Sequence, residues 1–285
     1  MSQVGSFGEN GGGSERRLAL VVEYDGTCYQ GFQLQHQRPT IQGEIERALK
    51  RFTQVDIRIR GASRTDSGAH ARGQVVDFTT AAERPPDQFL RGLNFYLPAD
   101  IGIQEAYEVD AGFHSRRSAL TRIYRYHILN QLRPSPIRRN THHWVSGTLD
   151  AAKMDGAAKG LVGEHDFRPL AASHPKEKSA VRSVSRWDIW REGDTVIIEC
   201  EANGFLRHQI RRANALLVGV GTGKWTDSII SDSLEARLTQ NWSFPILPAK
   251  GLCLMHVTYP DSWQNLKATG VSRYLAKVKN TDEAD

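Results

Sequence analysis

The stretch LALVVEYDGTCYQGFQLQHQRPTIQGEIERALKRF, residues 18–52, decides the fold of this chain. Residues 18–24 alternate and are rich in Val and Leu, which predicts a β-strand that stops at the turn dipeptide Asp25-Gly26. A glycine-punctuated loop follows, and then apolar residues recur at the spacing of one helical face, with Thr40 positioned to cap the first turn. The stretch therefore predicts a strand, a loop and a helix in that order.

The segments after this helix complete an α+β unit. Strand signals return at residues 57–60 and 74–80, a helix is predicted over about 85–94, and another strand covers residues 101–109. The resulting β-α-β-β-α-β order is that of a ferredoxin-like, mainly antiparallel sheet with helices on one face. We assign this N-terminal domain to residues 17–114.

The second half of the chain follows a similar scheme, although the two halves share no convincing sequence repeat. We therefore expect an α+β protein of two ferredoxin-like halves, with a C-terminal domain over residues 115–263 and a cleft between the halves that could house a site. The strands predicted in this half cover residues 122–129, 181–190, 195–202 and 252–259, and the helices cover residues 149–162, 205–218 and 227–239.

Composition indicates a soluble globular protein with no membrane partner. Hydrophobic residues make up 39% and charged residues 24% of the chain, and no apolar run approaches the roughly 18 to 20 residues that cross a bilayer. Residues 1–16 lack the apolar core of a signal peptide, which predicts a disordered N-terminal segment and a cytoplasmic location. Residues 264–285 are polar and predict a flexible tail.

The positive charge of the chain is carried mainly by arginine. The net charge is +5, and 27 of the 37 basic residues are arginines, which make planar, bidentate contacts with phosphate. Several arginine clusters lie near aromatic residues that could stack on bases. The balance favours a polyanionic partner, whereas any single cluster is also compatible with an evenly charged, solvated surface.

The loop GASRTDSGAHA, residues 61–71, separates two predicted strands and holds one carboxylate, Asp66, beside Arg64 and Thr65. Glycines at both ends can present this carboxylate to a ligand, and the neighbouring charge can stabilise its ionised form. Asp66 could act as nucleophile, general base or charge stabiliser, or it could simply bind its own backbone in a turn. A hydrolase would need a second acid brought in by folding, and the candidates are Asp77, Asp110 and Asp166.

The sequence offers no convincing metal site or phosphate-binding loop. The three cysteines, at positions 28, 200 and 253, lie far apart and outside CxxC spacing, and His142, His143 and His165 lack partners at helical spacing. The glycine-rich run that ends in Trp225 fails the GxxxxGK[ST] pattern and follows a helix instead of a strand. It predicts a glycine-rich helix ending.

Two residues distant from the loop could contribute to a site. Tyr124 lies on a predicted strand next to Arg125, so its ring could stack on a base, or it could belong to the core. Arg211 follows the apolar Ile210 on a predicted helix, where it could pair with a carboxylate in the cleft or extend into water.

Seven stretches of this chain, taken in order, resemble the bacterial tRNA pseudouridine synthase A (TruA) family over about residues 18–260. Any one of them is weak, but the ordered set is highly specific. The stretches are residues 24–27 with 31–33, 63–71, 113–116, 122–126, 163–167, 205–211 and 248–252.

The resemblance implies a role for five residues. Asp66 would be the catalytic aspartate, Arg211 its basic partner, and Tyr124 the ring against the target uracil. Arg64 would help to hold the extruded nucleotide, and Leu252 would contribute to substrate binding. The chain also departs from the family pattern: Ser63 and Ala69 replace the Gly and Val of GRTDxGVHA, and Phe32 replaces a usual tryptophan.

The implied activity is the isomerisation of uridine to pseudouridine at positions 38, 39 and 40 of the tRNA anticodon arm, by a homodimer without cofactor or metal. The target base would be flipped out of its stack, at a cost of a few kcal/mol. Asp66 would either attack the uracil ring or abstract a ribose proton. The arginine and aromatic content alone is also compatible with a non-catalytic RNA-binding module.

Overall fold

The structure, a computed structural model, describes residues 15–172, 174–175, 177–235 and 244–260. These residues form a mixed α+β fold, as the sequence predicts. The strands are β1 (Arg16–Tyr24), β2 (Arg60–Gly61), β3 (His70–Thr80), β4 (Ile101–Val109), β5 (Thr121–Asn130), β6 (His143–Val145), β7 (Gly163–Asp166), β8 (Val181–Glu192), β9 (Thr195–Ala202) and β10 (Leu252–Thr258). The helices are α1 (Ile41–Thr53), α2 (Pro86–Tyr96), α3 (Ala151–Ala158), α4 (Gln209–Gly221) and α5 (Ile229–Leu234).

The strands of both halves join in one sheet with the order β4-β1-β3-β10-β5-β9-β8-β7, while β2 pairs with β3 and β6 with β5. Most neighbours are antiparallel, which confirms the predicted sheet type. Strand β10 connects the halves, since it runs parallel to β3, with Cys253 opposite His70, and antiparallel to β5. The two predicted sets of strands therefore share a continuous sheet, and the predicted boundary at residues 114/115 falls in the connection between β4 and β5.

The first strand and helix form for the reasons visible in the sequence. The Thr40 hydroxyl accepts a hydrogen bond from the Gly43 N–H at 3.2 Å and caps α1. The apolar face of α1 is buried, and on the same side of the sheet β1 contributes fully buried Leu18 and Leu20. Burial of each such side chain contributes about 1.5–3 kcal/mol. This packing fixes β1 and α1 at the two ends of residues 25–40, which contact the Asp66 loop through Gly31 and Phe32.

The helix predicted at 205–218 begins only at Gln209, because His208 adopts a left-handed conformation with φ 65°. At its other end the glycine-rich ending is confirmed: a Cβ on Gly219 would lie 2.0 Å from the ring of Trp225. Helix α5 is shorter than predicted, and residues 236–239 of that prediction lie outside the described residues. The sequence did not predict the short strands β6 and β7, which carry too few residues for a periodic signal.

The predicted terminal segments lie outside the described residues, apart from Glu15 and Arg16, and β1 begins at Arg16. Within the described ranges, no helix is both long and apolar enough to span a bilayer.

Candidate active site

The Asp66 loop lies between β2 and β3 and is fixed to the core on both sides of the aspartate. The Phe32 N–H donates to the Thr65 carbonyl at 3.2 Å, and the hydroxyls of Tyr24 and Thr65 lie 2.7 Å apart. Gly31 has φ +89°, and a Cβ there would lie 2.8 Å from the Thr65 carbonyl oxygen, so the approach requires glycine. The backbone before Asp66 is therefore rigidly held.

Arg211 of α4 is the direct partner of Asp66. Its Nη1 donates to Asp66 Oδ2 at 2.8 Å, and the two side chains are 14% and 20% exposed. Its Nε donates to the Leu247 carbonyl at 2.7 Å, which holds the guanidinium in place from the other side. Arg211 therefore does not extend into water, which was the alternative that the sequence left open. A fixed cation orients the carboxylate while leaving it partly open to a ligand.

His208 also lies at this site, although no sequence pattern indicated a role for it. Its Nε2 is 4.0 Å from Asp66 Oδ2. Burial lowers the pKa of His208, the arginines at 207, 211 and 212 lower it further, and the Asp66 charge acts in the opposite direction. The net effect favours the neutral form of the ring. His208 is itself the left-handed residue at the start of α4, and no local sequence pattern predicts this conformation.

Tyr124 of β5 is brought to the loop by a hydrogen bond to Ser63. The two hydroxyl oxygens lie 2.7 Å apart, and the ring packs edge-to-face against Phe205 with centroids 5.5 Å apart. Burial raises the pKa of Tyr124, and the Asp66 charge raises it further, so the phenol stays protonated. The tyrosine is 5% exposed, so it combines a core position with a place beside the carboxylate.

The two remaining predicted residues differ in their exposure to solvent. Arg64 is exposed; burial lowers the pKa of the Arg116 side chain, and the charge of Arg64 lowers it further. Leu252 is the first residue of β10, where it is buried opposite Tyr126 of β5.

His70 ties the end of the loop to the segment before β10. Its Nδ1 accepts from the Gly26 N–H at 3.1 Å, and its Nε2 lies 3.0 Å from the Lys250 carbonyl oxygen. A Cβ on Gly26 would lie 1.9 Å from the Ala69 carbonyl oxygen, so this turn also requires glycine. The histidine therefore has a structural place at the site.

The second acids considered for a hydrolase have other environments. Asp77 is fully buried, its Oδ2 is bound by Arg60, and its Oδ1 accepts from the Ser115 N–H at 2.9 Å. Asp166 is exposed on β7 and accepts from the Arg168 N–H at 2.8 Å. Within the described part of the chain, no three His, Cys, Asp or Glu side chains are grouped so as to hold a metal ion. The geometry provides the Asp66 carboxylate, oriented by Arg211 and flanked by Tyr124.

The chain matches the family model described as tRNA pseudouridine synthase over residues 20–116 and 157–260, which include Asp66 and Arg211. A tRNA pseudouridine synthase A of Geobacter sp. (strain M21) is 39% identical over 246 residues, covering 86% of this chain and 100% of the relative. One from Pseudoalteromonas atlantica is 39% identical, over 87% of this chain and 94% of the relative. One from Halalkalibacterium halodurans is 40% identical, over 78% and 85% respectively.

Among solved structures, an archaeal box H/ACA sRNP complex overlaps 71% of this chain and 44% of the compared chain, with 14% identity and a TM-score of 0.34. A TM-score of this size is too low to support a conclusion about the fold. The family model matches most of this chain. The alignments with the first two relatives also cover most of this chain and nearly the full length of each relative. This chain therefore belongs to the tRNA pseudouridine synthase A (TruA) family.

Proposed function

We propose that this protein converts uridine to pseudouridine in tRNA, with Asp66 as its catalytic residue. The observation that carries the proposal is the Asp66 carboxylate, which Arg211 holds beside the Tyr124 ring. Asp66 and Arg211 lie within the residues that match the family model. The reaction breaks the N1 to C1′ bond, turns the base and joins C5 to C1′; the C5 proton leaves to solvent, and N1 takes up one proton. Atoms and electrons balance without an external oxidant or reductant.

The site residues fit this chemistry. Arg211 keeps the Asp66 carboxylate in one orientation, from which it can attack the uracil ring or abstract a ribose proton. Tyr124 provides an aromatic face for the flipped uracil. We assign Leu252, which is buried at the start of β10, to substrate binding. The reaction as proposed uses no metal or cofactor.

The proposed substrate is the anticodon arm of tRNA, with uridines 38, 39 and 40 as targets, and the proposed active form is a cytoplasmic homodimer. We also propose that residues 17–114 and 115–263 act as two units. The first carries Asp66, and the second carries Tyr124 and Arg211, so the site lies at their junction. The excess of arginine supports a polyanionic substrate.

The test is tritium release from tRNA labelled at C5 of uridine, with Asp66→Asn compared against Asp110→Asn, an exposed aspartate beyond β4. We expect wild-type release from Asp110→Asn and none above background from Asp66→Asn. Equal release from both variants and wild type would overturn the role of Asp66. Mass mapping of derivatised tRNA identifies the modified positions, and tight tRNA binding without pseudouridine would instead establish a non-catalytic RNA-binding module.

A further inference from the structure

We infer that Arg64, Arg116 and Arg182 together form a binding site for a phosphodiester group of the RNA strand, next to the Asp66 loop. The inference rests on the proposed function, because the ligand is the backbone of the same RNA whose base reaches Tyr124. It assigns Arg116 and Arg182, which lie outside the catalytic group, to substrate binding.

The three arginines come from three distant segments: the Asp66 loop, the connection between β4 and β5, and the start of β8. Within the described ranges none of them forms an ion pair with a carboxylate, in contrast to Arg60, which binds Asp77. Arg182 uses Nη1 on the carbonyls of Ser179 and Val181, at 3.2 and 2.6 Å, which leaves its other guanidinium nitrogens available. No carboxylate within the described ranges therefore neutralises the positive charges of Arg64, Arg116 and Arg182.

The charges of the guanidinium groups act in sequence, Arg64 on Arg116 and Arg116 on Arg182. Burial and then the charge of Arg64 lower the pKa of Arg116, and burial and then the charge of Arg116 lower the pKa of Arg182. Like charges in proximity cost free energy, and a bound anion removes that cost. An anion that bridges the group would therefore be bound more tightly than one at an isolated surface arginine.

Arg122, buried at 8% exposure, holds the first two segments and the turn after β9 together with hydrogen bonds to carbonyl oxygens. Its Nη2 donates to Arg116 O at 2.6 Å and to Ala62 O at 3.5 Å, and its Nη1 donates to Asn203 O at 2.8 Å. Ala62 lies two residues before Arg64 on the Asp66 loop. The cluster is thus built on a fixed internal scaffold.

The segment that carries Arg182 is linked to the same scaffold. The backbone of Asn203 donates to the Ser183 carbonyl at 3.1 Å, and the Ser183 N–H donates to the Asn203 side chain at 3.2 Å. A Cβ on Gly204 would lie 3.7 Å from Arg182 Nε, so the guanidinium stem lies against this turn. Arg122 thereby positions β8 relative to the two loops.

The place of the cluster identifies the ligand as the RNA backbone. Ser63, the residue before Arg64, is hydrogen-bonded to Tyr124 at 2.7 Å, so the loop that meets the uracil ring leads directly to the cluster. A strand whose base enters beside Tyr124 carries its flanking phosphate past Arg64. Planar guanidinium groups match a phosphodiester through paired hydrogen bonds.

The first experiment measures tRNA affinity by fluorescence anisotropy over a range of KCl concentrations. Arg116→Gln and Arg182→Gln are compared with Arg51→Gln, an exposed arginine on α1 that serves as the control for general charge loss. We expect each cluster variant to weaken binding and to reduce the magnitude of the log K against log [salt] slope by about 0.7 to 1. We expect a smaller change for Arg51→Gln. Equal effects in all three variants would overturn the assigned site.

The second experiment replaces single phosphodiesters flanking the target uridine with uncharged methylphosphonates in a ligated tRNA. At one of these positions, we expect the replacement to weaken binding to wild type but to have little further effect in Arg116→Gln, because both changes remove the same contact. Additive losses at every flanking position would overturn the inference. Pseudouridine formation by wild type on the unmodified tRNA separates the hypotheses, since its absence would refute the proposed function without affecting the phosphate coupling.

Discussion

Arg211 donates a hydrogen bond to Asp66 at 2.8 Å although the two residues are 145 positions apart in the chain. The contact joins the first turn of α4 to the loop between β2 and β3, and both side chains are mostly buried. A charge-assisted hydrogen bond of this kind contributes about 1.5–3 kcal/mol.

Arg211→Gln removes the charge that orients Asp66, so we expect kcat/KM for pseudouridine formation to fall by roughly 10- to 100-fold. Arg211→Lys, which keeps the charge but loses the planar fork, is expected to retain more activity. Tritium release gives the measurement, and Arg91→Gln on α2, whose guanidinium pairs only with Asp87 among the described residues, is the control. Unchanged turnover in Arg211→Gln would contradict a functional role for the pair.

Ser63→Ala deletes the hydroxyl that lies 2.7 Å from the Tyr124 hydroxyl, and we expect a loss of about 1 kcal/mol in the free energy of unfolding. The cost arises because the buried phenol loses its partner. Urea denaturation of Ser63→Ala, Tyr124→Phe and the double variant forms a thermodynamic cycle. We expect a coupling energy of about 1 kcal/mol, and strictly additive losses would show that the two hydroxyls do not interact.

Asp77→Ala breaks the buried ion pair with Arg60 and the hydrogen bond from Ser115, so we expect the free energy of unfolding to fall by about 3 kcal/mol. The value lies at the low end for buried pairs because Arg60 is 42% exposed and can be hydrated when its partner is lost. Urea denaturation provides the measurement. Asp87→Ala on α2, where the carboxylate is half-buried, should change stability by less than about 1 kcal/mol.

If Asp77 had a catalytic role, kcat would collapse in Asp77→Ala under conditions where the variant remains folded. We expect kcat to stay close to wild type instead, since both carboxylate oxygens of Asp77 are engaged with Arg60 and Ser115.

His127 of β5 provides a pH dependence of stability. Burial lowers its pKa to about 4, and the charges of His142, Arg125 and Arg72 act in the same direction, while a hydrogen bond with the Gly251 backbone opposes them. The unfolded-state pKa is about 6.5, so the unfolded chain binds a proton first as pH falls. The contribution is complete above about pH 6.5 and is lost between pH 6.5 and 4, by at most about 3 kcal/mol.

Urea denaturation of wild type and His127→Gln between pH 7.5 and 4 measures this effect. We expect the wild-type free energy of unfolding to decline more steeply than that of the variant over this range. Parallel pH profiles would show that His127 is not responsible.

Local patterns predicted most of the secondary structure, because each element depends on neighbouring residues. The alternation at 18–24 gave β1, and the helical spacing after Thr40 gave α1, since strand and helix periods can be read in a short window. The start of α4 was predicted four residues too early, because the left-handed conformation of His208 overrides the periodicity. The insertion of β10 between β3 and β5 follows from long-range strand pairing, which no window of this length contains.

For the site, the sequence by itself determined which chemical groups are available: one loop aspartate flanked by an arginine, a tyrosine on a strand, and an arginine at the edge of a helix. Only the tertiary structure decided that Asp66, Tyr124 and Arg211 lie together. It also decided that the Ser63 hydroxyl hydrogen-bonds to Tyr124 and that Asp77 forms an ion pair with Arg60. The reason is physical. Composition and spacing fix local conformation, whereas contacts between distant side chains depend on strand register and burial across the whole sheet.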